Sequence, residues 1–157
     1  MWSAAATAAT LAILLAASAV AHAAAPIEGS WLTEGKSGIV EIFRCGGGDG
    51  LCGRLAWVRI KPSDNNPQGI DNRNPSPGLR SRPLCGLTIM WGFRADGAGH
   101  WNDGTIYDPQ SGNTYRAEMT MRPDGSLGVR GYVLLSLFGR SEIWTRFAPP
   151  IPPCPAR

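Results

Sequence analysis

Residues 101–121, WNDGTIYDPQSGNTYRAEMTM, constrain this chain more than any other stretch. Tyr115, Ala117, Met119 and Met121 alternate with Thr114, Arg116, Glu118 and Thr120. A period of two puts one row on an apolar face and the other on a polar face, which a strand can use and a helix cannot. Just before it, Asp108-Pro109-Gln110-Ser111-Gly112 is turn chemistry. Asp caps, Pro presets φ, and Gly accepts a positive φ. The stretch therefore predicts a β-hairpin, and residues 126–147 predict a second one. An antiparallel all-β protein follows.

The address is written in the first 25 residues. Ala4 to Val20 are almost wholly small and apolar, and Ala21-His22-Ala23 supplies a cleavage-like site ahead of Pro26. This is the pattern of a signal peptide, and an apolar run of roughly 17 residues is short for a membrane span. The expected division is a signal peptide at 1–25, one β-barrel domain at 26–148 and a Pro-rich tail at 149–157. Cleavage leaves about 130 residues, the size of one domain with a real core. The expected location is periplasmic or secreted, with no membrane span after cleavage.

Export places the four cysteines in an oxidising environment. Cys45 and Cys52 flank GGGDGL between two strand-like runs and are expected to form a disulfide at a hairpin base. Cys85 and Cys154 remain; four cysteines allow three pairings, and the sequence does not choose among them. The formal charge is +3, carried by thirteen Arg and two Lys. The arginines are scattered, so no nucleic-acid partner is implied.

Strands are expected at 29–33, 38–45, 51–60, 87–94, 100–107, 114–121, 127–135 and 141–147. In the third, Leu51, Gly53, Leu55 and Trp57 share a face. Between the third and fourth lies a long segment, residues 61–83, with five prolines and many Asn, Asp and Gly residues. A loop of this length in a compact domain is functional or disordered more often than not. A helical turn is expected at its residues 79–82. Eight antiparallel strands joined by hairpins close into an up-and-down barrel, which removes exposed edges; a sandwich is the alternative. A barrel of eight holds packed side chains or one small ligand.

Gly29-Ser30-Trp31 at the start and Trp144-Thr145-Arg146 on the last strand resemble the lipocalin pattern. That resemblance implies that Trp31, Trp144 and Arg146 are structural, with a guanidinium stacked over an indole at one end of the barrel. A longer resemblance runs through GSWLTEGKSGIVEIFRC, LCGRLAWV, DNRNPSPGLRSRPLCGLTI, WNDGTIYDPQSGNTYRAEM and LGVRGYVLLSLFGRSEIWTR. In this order they resemble the exported bacterial family catalogued as domain of unknown function 2147, over residues 29–147. The resemblance implies a calycin-like barrel outside the cytoplasm and lends no catalytic residue.

Candidate chemistry is sparse. His100 is the only histidine beyond the leader, which excludes a multi-histidine zinc site. No GxSxG, HExxH or P-loop occurs, and Ser136 has no base beside it. Asp64 to Gly69 begins like a calcium loop, but Pro75 stands where a bidentate acid is required. An irregular calcium site on Asp64, Asn66, Asp71 or Asn74 is weaker than an Asx-rich loop capping its own amides. No metal, cofactor or catalytic set is expected.

The long loop also carries Asp71, Asn74, Arg80 and Arg82. The two arginines can clamp an anionic head, or tie the loop to the barrel through Asp71. Arg130 is expected to point outward. The expected ligand-binding set is Arg80, Arg82, Asp71, Asn74, Trp57 and Tyr115, around a small hydrophobic or anionic ligand. The alternatives are a filled barrel acting as an interaction module, and an enzyme built on Asp71, Arg80 and Arg82 with Tyr107 and Asp108.

Overall fold

The computed structural model describes residues 26–61, 65–133 and 139–154. The expected signal peptide at 1–25, Asp64, Ser136 and the end of the seventh expected strand lie outside the described residues. Eight strands form one closed antiparallel up-and-down barrel. They are β1 (Gly29–Leu32), β2 (Gly38–Arg44), β3 (Leu51–Val58), β4 (Thr88–Ala95), β5 (His100–Asp108), β6 (Asn113–Met121), β7 (Leu127–Tyr132) and β8 (Gly139–Arg146). β1 closes on β8 through Trp31 opposite Arg146 and Leu32 opposite Thr145. The barrel expected from the alternation is therefore present, and the sandwich is not.

The alternation sets the two faces. Ala117 and Met119 of β6, Leu127 and Val129 of β7 and Trp144 of β8 are buried inside. Arg130 lies outside, where it donates to Ser141 (2.9 Å) and approaches Glu118 (3.9 Å), as cross-strand neighbours do. The expected face of β3 needs one correction. Val40 pairs with Leu55 while the adjacent Ile39 pairs with Trp57, so Ala56 is an extra residue. A bulge of one residue exchanges inside and outside beyond it. Leu51, Gly53 and Leu55 are buried as expected, but Val58 then takes the inner position and Trp57 is left half-buried outside the cavity lining.

One end of the barrel is sealed. Trp31 is fully buried, its indole N–H donates to the Ile27 carbonyl (2.8 Å), and the Arg146 guanidinium stacks 4.1 Å from its ring centre. Arg146 also donates to the Glu28 carbonyl (2.8 Å) and to the Pro26 carbonyl. The incoming chain is thereby held across the end of the barrel. Gly29 makes the crossing possible: its φ is +116°, and a Cβ there would sit 2.8 Å from Arg146 Nη1. Phe93, Met119 and Leu127 pack behind this plug, all at or below 1% exposure. At the same end Cys45 and Cys52 form the expected disulfide under the β2–β3 hairpin.

The other end carries the β1–β2, β3–β4, β5–β6 and β7–β8 connections. The β3–β4 connection is the long loop. Its 3-10 turn spans Pro77–Leu79, earlier than the expected 79–82, because Pro77 presets the first helical φ after Ser76. Ile70 and Pro83 form an isolated bridge that draws the loop into a closed lobe. Cys85, just beyond it, is bonded to Cys154, so the tail is fastened beside the base of the loop. Both sulfurs lie near the carbonyl of the bulged Ala56, at 3.5 and 3.8 Å.

Candidate functional site: an open barrel cavity under the long loop

The open end holds a cavity of about 920 Å³. Its walls are apolar: Val40 of β2, Leu55 and Val58 of β3, Ile89 of β4, Val129 of β7 and Trp144 of β8. Polar groups gather at the rim, namely Glu34, Arg59, Asp108, Arg140 and Glu142. Three rim groups are already held. Glu34 accepts from the Ile143 N–H (3.0 Å), Glu142 accepts from the buried Trp144 indole (2.9 Å), and Asp108 caps Gln110 and Ser111. Arg59 donates to the Gly35 carbonyl (3.3 Å), which ties the β1–β2 turn to the end of β3. Arg140 is exposed and has no ion-pair partner among the described residues.

A second hollow of about 570 Å³ opens beside the first, beneath the long loop. Ser37, Val58, Arg59, Leu84, Pro109 and Gln110 border both, so the two are continuous. The wall between loop and barrel is tightly set. Gly112, with φ +78°, sits where a Cβ would lie 2.1 Å from the Arg73 carbonyl oxygen. Only glycine lets the β5–β6 turn and the loop backbone meet this closely.

The loop is anchored by a buried carboxylate. Asp71 is 0% exposed. Its Oδ2 accepts from Arg82 Nε and Nη2 and from Asn74 Nδ2, each at 2.8 Å. Its Oδ1 accepts from the Tyr107 hydroxyl at 2.6 Å. A buried charge needs such partners, and here the guanidinium supplies the compensating charge. Burial of Tyr107, then the hydrogen bond to Asp71 and its negative charge, push the tyrosine pKa up to about 12. Asn74 turns its carbonyls inward to the loop: Arg80 Nε donates to its main-chain oxygen (2.7 Å), and its side-chain oxygen caps Ser76 (2.9 Å).

Of the residues expected to hold a ligand, Tyr115 lines the cavity. Asp71, Asn74, Arg80, Arg82 and Trp57 do not. The first four are brought together, but to frame the loop; the bulge at Ala56 removes Trp57. The cavity is bordered instead by the inward row of β8, Glu142 and Trp144, and by the rim arginines Arg59 and Arg140. Their only sequence signal is the strand alternation, which leaves inside and outside undecided for a mixed row. Tyr107 and Asp108 are adjacent in sequence yet serve the loop anchor and the turn cap. Asn66 is likewise spent within the loop, bonded in both directions to Ile70. His100 begins β5, half-buried, with Nδ1 3.7 Å from Asp96. Among the described residues no three His, Cys, Asp or Glu side chains gather to hold a metal ion, and no helix is long and apolar enough to cross a membrane.

This architecture is similar to that of a solved protein from the human pathogen Helicobacter pylori, HP1028, described as belonging to the lipocalin family. The TM-score is 0.67 with 22% identity, over 78% of this chain and 84% of that one. At that identity the likeness concerns the fold. No curated protein matches the chain. Residues 29–146 match the family described as uncharacterized protein conserved in bacteria, DUF2147, and the chain belongs to that family.

Proposed function

We propose that the barrel is a binding protein for one small amphipathic molecule, working outside the cytoplasm without chemical turnover. The observation that carries this reading is the cavity of about 920 Å³, apolar in its walls and polar at its mouth. Ligand sites run from roughly 300 to 1,000 Å³ and combine apolar walls with a few placed polar groups. Burial of an apolar tail against Val40, Leu55, Ile89 and Val129 supplies affinity at roughly 25 cal/mol per Å² removed from water. The rim groups orient the head. Two disulfides fit an oxidising compartment and support export.

The test uses Trp144, which lies at the cavity wall at 3% exposure. Titration with long-chain alcohols and fatty acids should change its fluorescence and displace a bound polarity-sensitive dye. The Trp144→Phe variant should lose the intrinsic signal and keep the displacement. If no amphiphile in either class displaces dye at concentrations below its micelle threshold, the carrier reading fails.

A further inference from the structure

We propose that the hollow beneath the long loop is a headgroup subsite for an acidic oxyanion, a phosphate or carboxylate carried by the barrel's own ligand. The inference rests on the carrier reading. Its basis is the composition of that hollow. Among the described residues, the charged side chains on its wall are Arg59, Lys61 and Arg73, and no Asp or Glu lines it. Asn65, Asn72 and Gln110 add amide donors. The neighbouring barrel cavity is different, with Glu34, Asp108 and Glu142 set against Arg59 and Arg140. The two hollows thus differ in sign, and one ligand can span them through their shared border.

The chemistry that fits is specific. Guanidinium groups bind phosphate and carboxylate through paired N–H donors, and amides add neutral donors without competing charge. Arg82, engaged by the loop's own carboxylate, and Arg80, engaged by the Asn74 carbonyl, are excluded from this role. Arg73 is not: it is exposed and has no carboxylate partner among the described residues. Its main chain is fixed by the contact at Gly112, so the side chain projects from a set point on the wall. An anion between Arg59 and Arg73 is also partly sheltered from water by the loop, which strengthens the attraction over that at an open surface.

Dodecanol, dodecyl phosphate and dodecyltrimethylammonium share one tail and differ in head charge. Dye displacement by each, on wild type and on Arg73→Glu, Arg73→Gln and Arg73→Lys, separates tail from head. In wild type the phosphate should bind at least tenfold more tightly than the alcohol, and the ammonium less tightly than the alcohol. Arg73→Gln should cut the preference for phosphate roughly tenfold, Arg73→Glu should abolish it, and Arg73→Lys should restore most of it. Dodecanol should bind all four proteins alike, which shows that the barrel stays folded and open. Equal binding of alcohol and phosphate by wild type overturns the subsite and leaves the carrier reading standing. Failure of all three to bind overturns both. Displacement of dodecyl phosphate by millimolar inorganic phosphate overturns the headgroup assignment in favour of a site for the free ion.

Discussion

Tyr107→Phe removes one oxygen and tests whether the long loop is held by its buried carboxylate. In the folded protein Asp71 Oδ2 gathers Arg82 and Asn74, whereas Oδ1 has Tyr107 alone among the described residues. The substitution leaves a charged oxygen buried without a donor. A hydrogen bond to a charged group is worth roughly 1.5–3 kcal/mol, and a stranded buried acceptor costs a similar amount. The tyrosine pKa, raised from 10.0 to about 12, is moved first by burial, which penalises the anion, and so adds no second figure for the neutral hydroxyl. The expected loss is roughly 2–3 kcal/mol at neutral pH, or about 6–12 °C in Tm for a domain of this size.

The sign of the pH dependence follows. The folded pKa is raised, so the stabilisation is fully present below pH 10, the unfolded value, and fades as pH climbs through about 12. Urea unfolding at pH 7 measures the first quantity. Ultraviolet titration of tyrosinate measures the second: one of the three tyrosines should ionise well above 10 in the folded wild type, and that late step should vanish in Tyr107→Phe. A variant within 0.5 kcal/mol of wild type, or the absence of a late-titrating tyrosine, would refute the anchoring role.

Trp31→Ala should lose roughly 3–5 kcal/mol, as truncation of a fully buried aromatic does, and should release the chain segment held by Arg146; chemical denaturation reads the loss. Stability within 1 kcal/mol of wild type would contradict the sealed end. Cys45→Ala should cost about 2.5 kcal/mol from the chain entropy of so short a loop, and labelling of the denatured, unreduced wild type should find neither Cys45 nor Cys52 reactive.

The architecture was legible because it is encoded locally. Turn residues at Asp108–Gly112 and strict alternation from Thr114 to Met121 specify one hairpin without reference to the rest of the chain. The short span between Cys45 and Cys52 works the same way. The site was less legible because it depends on choices between distant partners. Asp71 and Tyr107 are 36 residues apart, and nothing in the loop's composition says that this hydroxyl and Arg82 converge on one carboxylate. Arg80, with the same surroundings in sequence, goes instead to a backbone carbonyl. A single extra residue at Ala56 turns Trp57 away from the cavity and Val58 toward it, a reversal that periodicity alone cannot foresee. Arg59, at the strand end just past this reversal, became a rim residue for the same reason.

The seam between β1 and β8 has a consequence in time. Arg146 reaches back to the carbonyl of Glu28, 118 residues earlier. During synthesis the outer edge of β1 therefore waits unpaired until nearly the whole domain has been made. Every other neighbouring pair of strands is consecutive and can zip as it emerges. Ring closure is the late, non-local step that topology makes slow. Until then the nascent sheet carries two open edges, at β1 and at its newest strand, able to recruit another chain. The Trp31–Arg146 contact ends that exposure, and so marks the moment at which the newborn protein ceases to be sticky.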